Sequence, residues 1–226
     1  MKLTVLGSSS SGNCYLIDDG TSALLIEAGV QFDRVKKAID FQVDRIEGCL
    51  VSHEHGDHSN YAKVVESYGI EVYRPGAGIQ KKFTVGSFQV MALPVVHDIE
   101  TYCFLIKHPA MGLLFYLTDT HYCPYVIDGI NHMLVEANYS QELLDDNILQ
   151  GYVPRVIRDR IMKSHMEINT TVDFLKANDL SNVRNILLCH LSFGNSNHDD
   201  FVRKVEEATG IPAKIAKKGV TIDLKI

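Results

Sequence analysis

The 226-residue chain has no tryptophan and six prolines, and it contains no low-complexity tract, internal repeat or Pro/Gly/Ser-rich linker. Those absences argue against a repeat array or a rod and make one domain over residues 1–226 the expectation. Every apolar run breaks well short of the about 20 residues that a membrane span needs, so no membrane partner is expected. The opening Met1-Lys2-Leu3-Thr4-Val5-Leu6-Gly7 lacks the charged start and long apolar stretch of a signal peptide and reads as a first strand. Cysteine is present five times, an odd number without any Cys-x-x-Cys, mostly in apolar strand-like runs. Reduced, buried thiols and a cytoplasmic location are expected from that usage, and a soft thiolate metal site is not. Positive charge is also in short supply: 22 basic against 28 acidic residues give a net charge of −6. That balance argues against a surface coated for bulk nucleic-acid binding and leaves room only for a local basic path.

What the chain does have is an ordinary globular composition, 46% hydrophobic and 22% charged, and enough length to bury roughly 70–75% of its extended surface. Short apolar runs at residues 3–6, 14–17, 23–27 and 48–52 read as strands, with Gly- and Asp-rich turns between the first three. Residues 30–39 and 59–68 have helical spacing. Strand-like pieces follow at 71–73, 83–85, 87–93, 101–106 and 113–118. The second half is organised differently, with a strand at 133–136, helices at 141–150, 154–163 and 167–178, a strand at 185–189, a helix at 199–209, and a closing hairpin from 213–215 and 220–224. Strands, then helices, then strands again do not fit strict βαβ alternation; they predict an α/β (α+β) sandwich of two mixed sheets with helices outside.

The informative segment is Ser52-His53-Glu54-His55-Gly56-Asp57-His58. It follows an apolar strand and opens a helix. If the strand continues through it, His53 and His55 fall on one side, and a turn at Gly56 lets Asp57 and His58 point back. Four converging imidazole and carboxylate groups can supply much of the coordination of two borderline divalent ions. Two other readings of the segment are an exposed polar loop and a single-ion site using three of the groups. Farther on, His97, Asp119 and His190 each follow an apolar run. Alone they read as a strand-end histidine, an Asx-turn and a half-buried histidine; together they extend the cluster.

The Ser52–His58 motif, followed in order by His97, Asp119 and His190, resembles the signature of the metallo-β-lactamase-fold hydrolases over nearly the whole chain. The resemblance implies a four-layer αββα sandwich with a two-metal site. His53, His55 and His97 would hold one ion, Asp57, His58 and His190 the other, and Asp119 would bridge them. The ions would be Zn or Mn, with Fe as a further option, and a bridging hydroxide would be the nucleophile.

Glu136, ending a strand, and His165, in Lys163-Ser164-His165-Met166, match positions of the phosphodiesterase branch that includes tRNase Z. There the carboxylate orients an imidazole that protonates the leaving oxygen. The residues on their own also read as a helix-capping glutamate and a solvent histidine. With Asp57 they are the candidate catalytic residues. The opening Gly7–Leu16 segment, His97-Asp98, Leu117-Thr118-Asp119-Thr120 and Cys189-His190-Leu191-Ser192 are similar to the short exonuclease-like YycJ/WalJ subfamily. Two departures are His121, where a glycine is usual, and the loosely matching 193–197 stretch. The chain has no room between Asp119 and His190 for the inserted domain of the larger RNA-processing enzymes.

Arg155, Arg158, Arg160 and Lys163 crowd one predicted helix leading into His165 and could track a phosphate backbone or simply form a solvated face. With Ser192, the three arginines are the candidate substrate-binding residues. The expected function is hydrolysis of a phosphodiester, at DNA or RNA ends, and the subfamily implies a 5′→3′ DNA exonuclease. Alternatives are a small-substrate hydrolase acting on a cyclic phosphodiester, lactone or thioester, and a non-catalytic binding protein.

Overall fold

The computed structural model describes residues 1–76 and 81–226. Among these, the first half contributes β1 (Lys2–Gly7), β2 (Cys14–Asp18), β3 (Ala23–Ile26), β4 (Ile46–Leu50) and β5 (Val72–Tyr73). With β13 (Thr221–Asp223) they form a six-stranded sheet in the order β13-β1-β2-β3-β4-β5. The second sheet is built from β6 (Lys82–Val85), β7 (Phe88–Val95), β8 (Thr101–His108), β9 (Gly112–Leu117), β10 (His132–Glu136), β11 (Asn185–Cys189) and β12 (Ala213–Ile215), which lie side by side in reverse chain order. The helices are α1 (Phe32–Ala38), α2 (Gly56–Ser59), α3 (Ala62–Ser67), α4 (Gln141–Leu149), α5 (Arg155–Ser164), α6 (Ile168–Ala177) and α7 (His198–Thr209).

Three apolar layers hold this together. Leu3, Tyr15, Leu24, Phe88, Phe104, Tyr116 and Leu187 meet between the sheets. Leu16, Leu25 and Cys49 on the outer face of the first sheet pack on Val35 of α1 and Val65 of α3. Phe115, Val135 and Leu188 on the outer face of the second pack on Phe174 of α6 and Phe201 and Val205 of α7. The result is the four-layer αββα sandwich expected from the sequence. β3, covered on both faces, is apolar throughout, and β10, equally buried, is apolar between His132 and Glu136, whereas β7 alternates from Phe88 to Leu93 and leaves every second side chain there partly in water.

Direction decides where the site falls. β7 is antiparallel to β8 and β8 to β9, so β7 and β9 run the same way, and β9, β10 and β11 are mutually parallel. The C-terminal ends of β7, β9, β10 and β11 therefore gather at one edge. In the facing sheet β3 and β4 are parallel and end together.

Three local expectations are corrected. The tail is no hairpin: β12 pairs with β11 in one sheet and β13 with β1 in the other. Gly219 N–H donates to Val5 O and Val5 N–H to Val220 O, so the chain crosses between sheets at that turn. The histidine motif is not strand: β4 stops at Leu50 because the Ser52 N–H turns to the Glu27 carboxylate at 3.2–3.3 Å instead of a neighbouring strand. The helix expected over 59–68 is split into α2 and α3, with Tyr61 N–H donating to Ala28 O at the break.

Candidate metal centre

Loops at the shared sheet edges converge on two groups of donors joined by one residue. His53, His55, His97 and Asp119 form the first, and Asp57, His58, Asp119 and His190 the second; within each, one donor atom per residue lies within 4.8 Å of the others. Asp119 is 2% exposed, and its Oδ2 stands 3.4 Å from His53 Nε2 and 3.3 Å from His58 Nε2. Its Oδ1 lies 3.2 Å from His190 Nδ1. All seven positions singled out in the sequence are thus gathered at one place.

The backbone aims these groups by unusual means. Glu27, Asp119 and His190 stand at or just beyond the ends of β3, β9 and β11, and each has positive φ, at 65°, 47° and 53°. A side-chain-bearing residue rarely adopts that region, and such strain concentrates at functional sites. His190 is fixed there by Ser8 Oγ, which accepts from its N–H at 3.0 Å, and by Asn138 Nδ2, which donates to its carbonyl at 2.7 Å.

The donor chemistry fits cations in both groups. In the first, His55 Nδ1 lies 3.1 Å from His53 Nε2 and 3.2 Å from His97 Nε2. His97 Nδ1–H donates to Ser164 O at 3.0 Å, so its Nε2 carries a lone pair. Burial lowers the His97 pKa to about 4 against the pull of Asp119, and burial with His53 also lowers that of His55. Three imidazole nitrogens gathered at such distances suit a cation between them. In the second group burial would lower the His190 pKa, but Asp119, Asp57 and Glu136 outweigh it and lift it to about 10. His58 is likewise raised despite burial, by Asp119 and Glu27. Burial would raise Asp57 and Asp119, yet His58 and His190 hold both carboxyls far below their usual range. Carboxylates that retain imidazolium protons so firmly form a site demanding positive charge, and divalent ions meet that demand by displacing protons. Clustered His and Asp donors of this kind suit divalent ions of borderline character.

A third group adjoins the second. His165 Nδ1 donates to Glu136 Oε1 at 2.7 Å and lies 4.0 Å from Asp119 Oδ1. Glu136 is fully buried; its Oε2 accepts from Thr120 and Met166 N–H, and its Oε1 is 3.2 Å from His190 Nδ1. Burial would raise its pKa, but the two imidazoles keep it lowered. His165 keeps a side-chain exposure of 20%, enough to meet a molecule arriving from solvent.

Of the expected substrate contacts, the three arginines lie along α5. Arg155 begins α5, ten residues before His165, which is about 15 Å along a helix. Together with Arg158 it lines a groove containing Asp145, Asp146 and Asp159. Arg158 Nε donates to Asp145 at 2.7 Å. Arg160 is exposed one turn before Ser164. Ser192 Oγ accepts from Asn195 N–H and Nδ2 at 3.4 and 3.2 Å. His121 is exposed and belongs to none of the three donor groups. Asp98 Oδ1 lies 3.0 Å from His97 Nε2 and 3.4 Å from His55 Nε2.

Two residues escaped the sequence reading. Glu27 is fully buried behind His58, with Oε1 3.4 Å from His58 Nδ1 and accepting from Tyr116 OH at 3.0 Å. Its signal was a carboxylate closing the apolar run Ala23–Ile26. Asn13, also fully buried, sends Nδ2 to Asp57 Oδ2 at 3.3 Å and lies 3.0 Å from His58 Nε2; nothing in its Gly/Ser-rich surroundings marked it.

Comparison with known proteins agrees with the fold. The family model of the metallo-beta-lactamase superfamily matches residues 9–83. The chain is 26% identical to a Bacillus anthracis protein named exodeoxyribonuclease YycJ, over 87% of this chain and 84% of that one. Among solved structures, the metallo-beta-lactamase fold protein YhfI of Bacillus subtilis superposes with a TM-score of 0.76 at 17% identity, over 98% of both chains. Human tRNase Z, short form, gives 0.63 at 14%, over the full length of both. The fold is that of the metallo-β-lactamases.

Proposed function

We propose that the protein is a metal-dependent phosphodiesterase acting on nucleic-acid ends, a 5′→3′ exodeoxyribonuclease in kind. The observation that carries this reading is the His165–Glu136 pair, 2.7 Å apart and next to the bridging Asp119. The name of the Bacillus anthracis relative supports the choice of substrate.

In this reading His53, His55 and His97 would hold one divalent ion and Asp57, His58 and His190 a second, with Asp119 belonging to both groups of donors. Bound there, zinc or manganese would supply Lewis acidity, steadying charge on phosphoryl oxygens and making water acidic enough to serve as nucleophile near neutral pH. The chain's own residues do the rest. Glu136 Oε1 accepts a hydrogen bond from His165 Nδ1–H and so fixes the orientation of the ring. His165 Nε2 then holds the proton that the departing oxygen requires. Asp57, clamped by Asn13, keeps its carboxylate turned toward the second group. Arg160 and, with rearrangement of its Asp145 pair, Arg158 are the proposed contacts to the strand beyond the scissile phosphate; Arg155 stands farther along α5 from His165.

Metal-loaded protein is expected to hydrolyse bis(p-nitrophenyl) phosphate and to shorten single strands labelled at one end, and to leave thioesters and lactones intact. Preference for an acyl substrate would replace this reading with that of a small-substrate hydrolase. His165→Ala is expected to slow alkyl-leaving-group esters by about 10²–10⁴-fold and activated aryl esters far less. Equal losses on both would remove His165 from the proton-donor role.

A further inference from the structure

Phe193, three residues after His190, is fully exposed at 106% of its reference area. Leaving such a ring in water forgoes the stabilisation that its burial would bring, so a folded loop that presents one stiffly invites a reason. This loop is stiff. Asn195 is 5% exposed and its carbonyl accepts from Ser140 N–H at 2.8 Å. Asn147 Nδ2, from α4, donates to Gly194 O and Asn195 Oδ1, both at 2.9 Å. Ser196 Oγ donates to Ser192 O, and Ser192 Oγ accepts from Asn195 Nδ2. These hydrogen bonds hold the shape of the turn, while the ring at its tip stays in water.

Beside the ring lies a cavity of about 400 Å³. Leu143 and Phe193 give it apolar walls, and Ser196, Asn197 and His198 give it polar ones. Asn197 Oδ1 caps α7 by accepting from Asp200 N–H, which leaves its Nδ2 as a donor. Burial and Lys217 lower the His198 pKa, so the ring is neutral near pH 7 and offers one donor and one acceptor. An aromatic ring, an apolar neighbour and mixed donors and acceptors in one cavity are what a planar heteroaromatic ring requires.

We infer that Phe193 and this cavity form a nucleobase subsite, a stacking platform for a base of the single strand whose phosphodiester reaches the histidine–aspartate centre. The inference rests on the phosphodiesterase reading and adds to it the substrate class, single-stranded nucleic acid. Three residues span at most about 11 Å between Cα atoms, which puts the platform within a nucleotide or two of the His190 side of the site. Charge makes such a device useful. A chain of net charge −6 has little general attraction for phosphates, whereas stacking acts on every base and depends little on sequence.

The test uses metal-loaded protein and hydrolysis-resistant single strands, DNA in one arm and RNA in the other, carrying 2-aminopurine near the 5′ end. Phe193→Ala is expected to weaken binding about 5- to 150-fold and to abolish fluorescence quenching. Phe193→Trp should restore both, and Phe193→Leu should not. Strands with abasic residues near the 5′ end should bind wild type and Phe193→Ala alike. Affinities within twofold of wild type for Phe193→Ala, or full rescue by Phe193→Leu, overturn the inference. So does an effect of Phe193→Ala on self-association in place of strand affinity. A failure here leaves the hydrolysis of bis(p-nitrophenyl) phosphate untouched, while inertness toward that compound with quenching intact would sink the phosphodiesterase reading alone.

Discussion

Asp119 is the residue through which both donor groups communicate, with one carboxylate oxygen near His53 and His58 and the other near His190. Removing it takes a donor from each group at once. Asp119→Ala is expected to purify with neither ion and without turnover, measured by elemental analysis beside the activity assay; two ions per chain in that variant would dismantle the bridging assignment. Glu27 acts one step farther out, through His58 Nδ1. Glu27→Gln keeps the shape and an acceptor for Tyr116 OH but removes the charge. Metal affinity of the second group should fall about 10–100-fold, read by competition with a coloured chelator. An unchanged affinity would make Glu27 a brace for Ser52 and Tyr116 and nothing more. The seven metal candidates were legible because each ends or follows an apolar run. Glu27 was not recognised, since a single carboxylate after a strand has no partner visible in sequence.

At the scale of elements, α2 is four residues long and cannot hold itself in place by helical propensity. It is held by its neighbours: Asn13 N–H donates to Asp57 O and Ala28 N–H to His58 O, both at 2.7 Å. Gly29 makes that approach possible, for a Cβ there would stand 1.7 Å from Asp57 O and 2.7 Å from Asn13 N. Gly29→Ala must push backbone against backbone. It is expected to cost about 1–3 kcal/mol of stability, seen as a lower urea midpoint, together with weaker metal binding at the Asp57–His58 side. Normal stability with full metal content would show that the α2 backbone yields freely. Periodicity carried the longer elements, α4 to α7 and β7 to β11, close to their observed limits. It failed at 51–58, where hydrogen bonds to Glu27 and Asn13, distant in sequence, replace the ladder.

Across the whole molecule, burial of titratable groups ties stability to pH. His132 opens β10 with no exposure, and burial lowers its pKa to about 4 while Asn185 Nδ2 donates to its Nδ1. The unfolded chain binds this proton near pH 6.5 and the folded chain only near pH 4, so its effect is absent above pH 6.5. As pH falls from 6.5 toward 4, the unfolded state binds more protons and stability drops, by up to about 3 kcal/mol. Urea midpoints compared at pH 7 and pH 4.5 should fall less for His132→Gln than for wild type; equal falls would assign the acid sensitivity to other groups. Among the described residues no helix is long and apolar enough to cross a membrane, and all five cysteines are buried thiols. Both agree with the composition.

The sequence by itself determined the layers of the fold and the chemistry available to it. Alternating and unbroken apolar runs specify strands covered on one face or two, and the order of histidines and aspartates specifies which donors can meet. Tertiary structure alone decided what those donors meet with and in what state. The left-handed turns at Glu27, Asp119 and His190, the placing of Glu27 behind His58, and the sending of β12 and β13 to different sheets all depend on groups brought together by strand direction. Pattern along a chain records what each segment must bury; it holds no record of which distant carboxylate stands behind an imidazole. That contact forms only when the two sheets close on each other and exclude the water that would otherwise separate them.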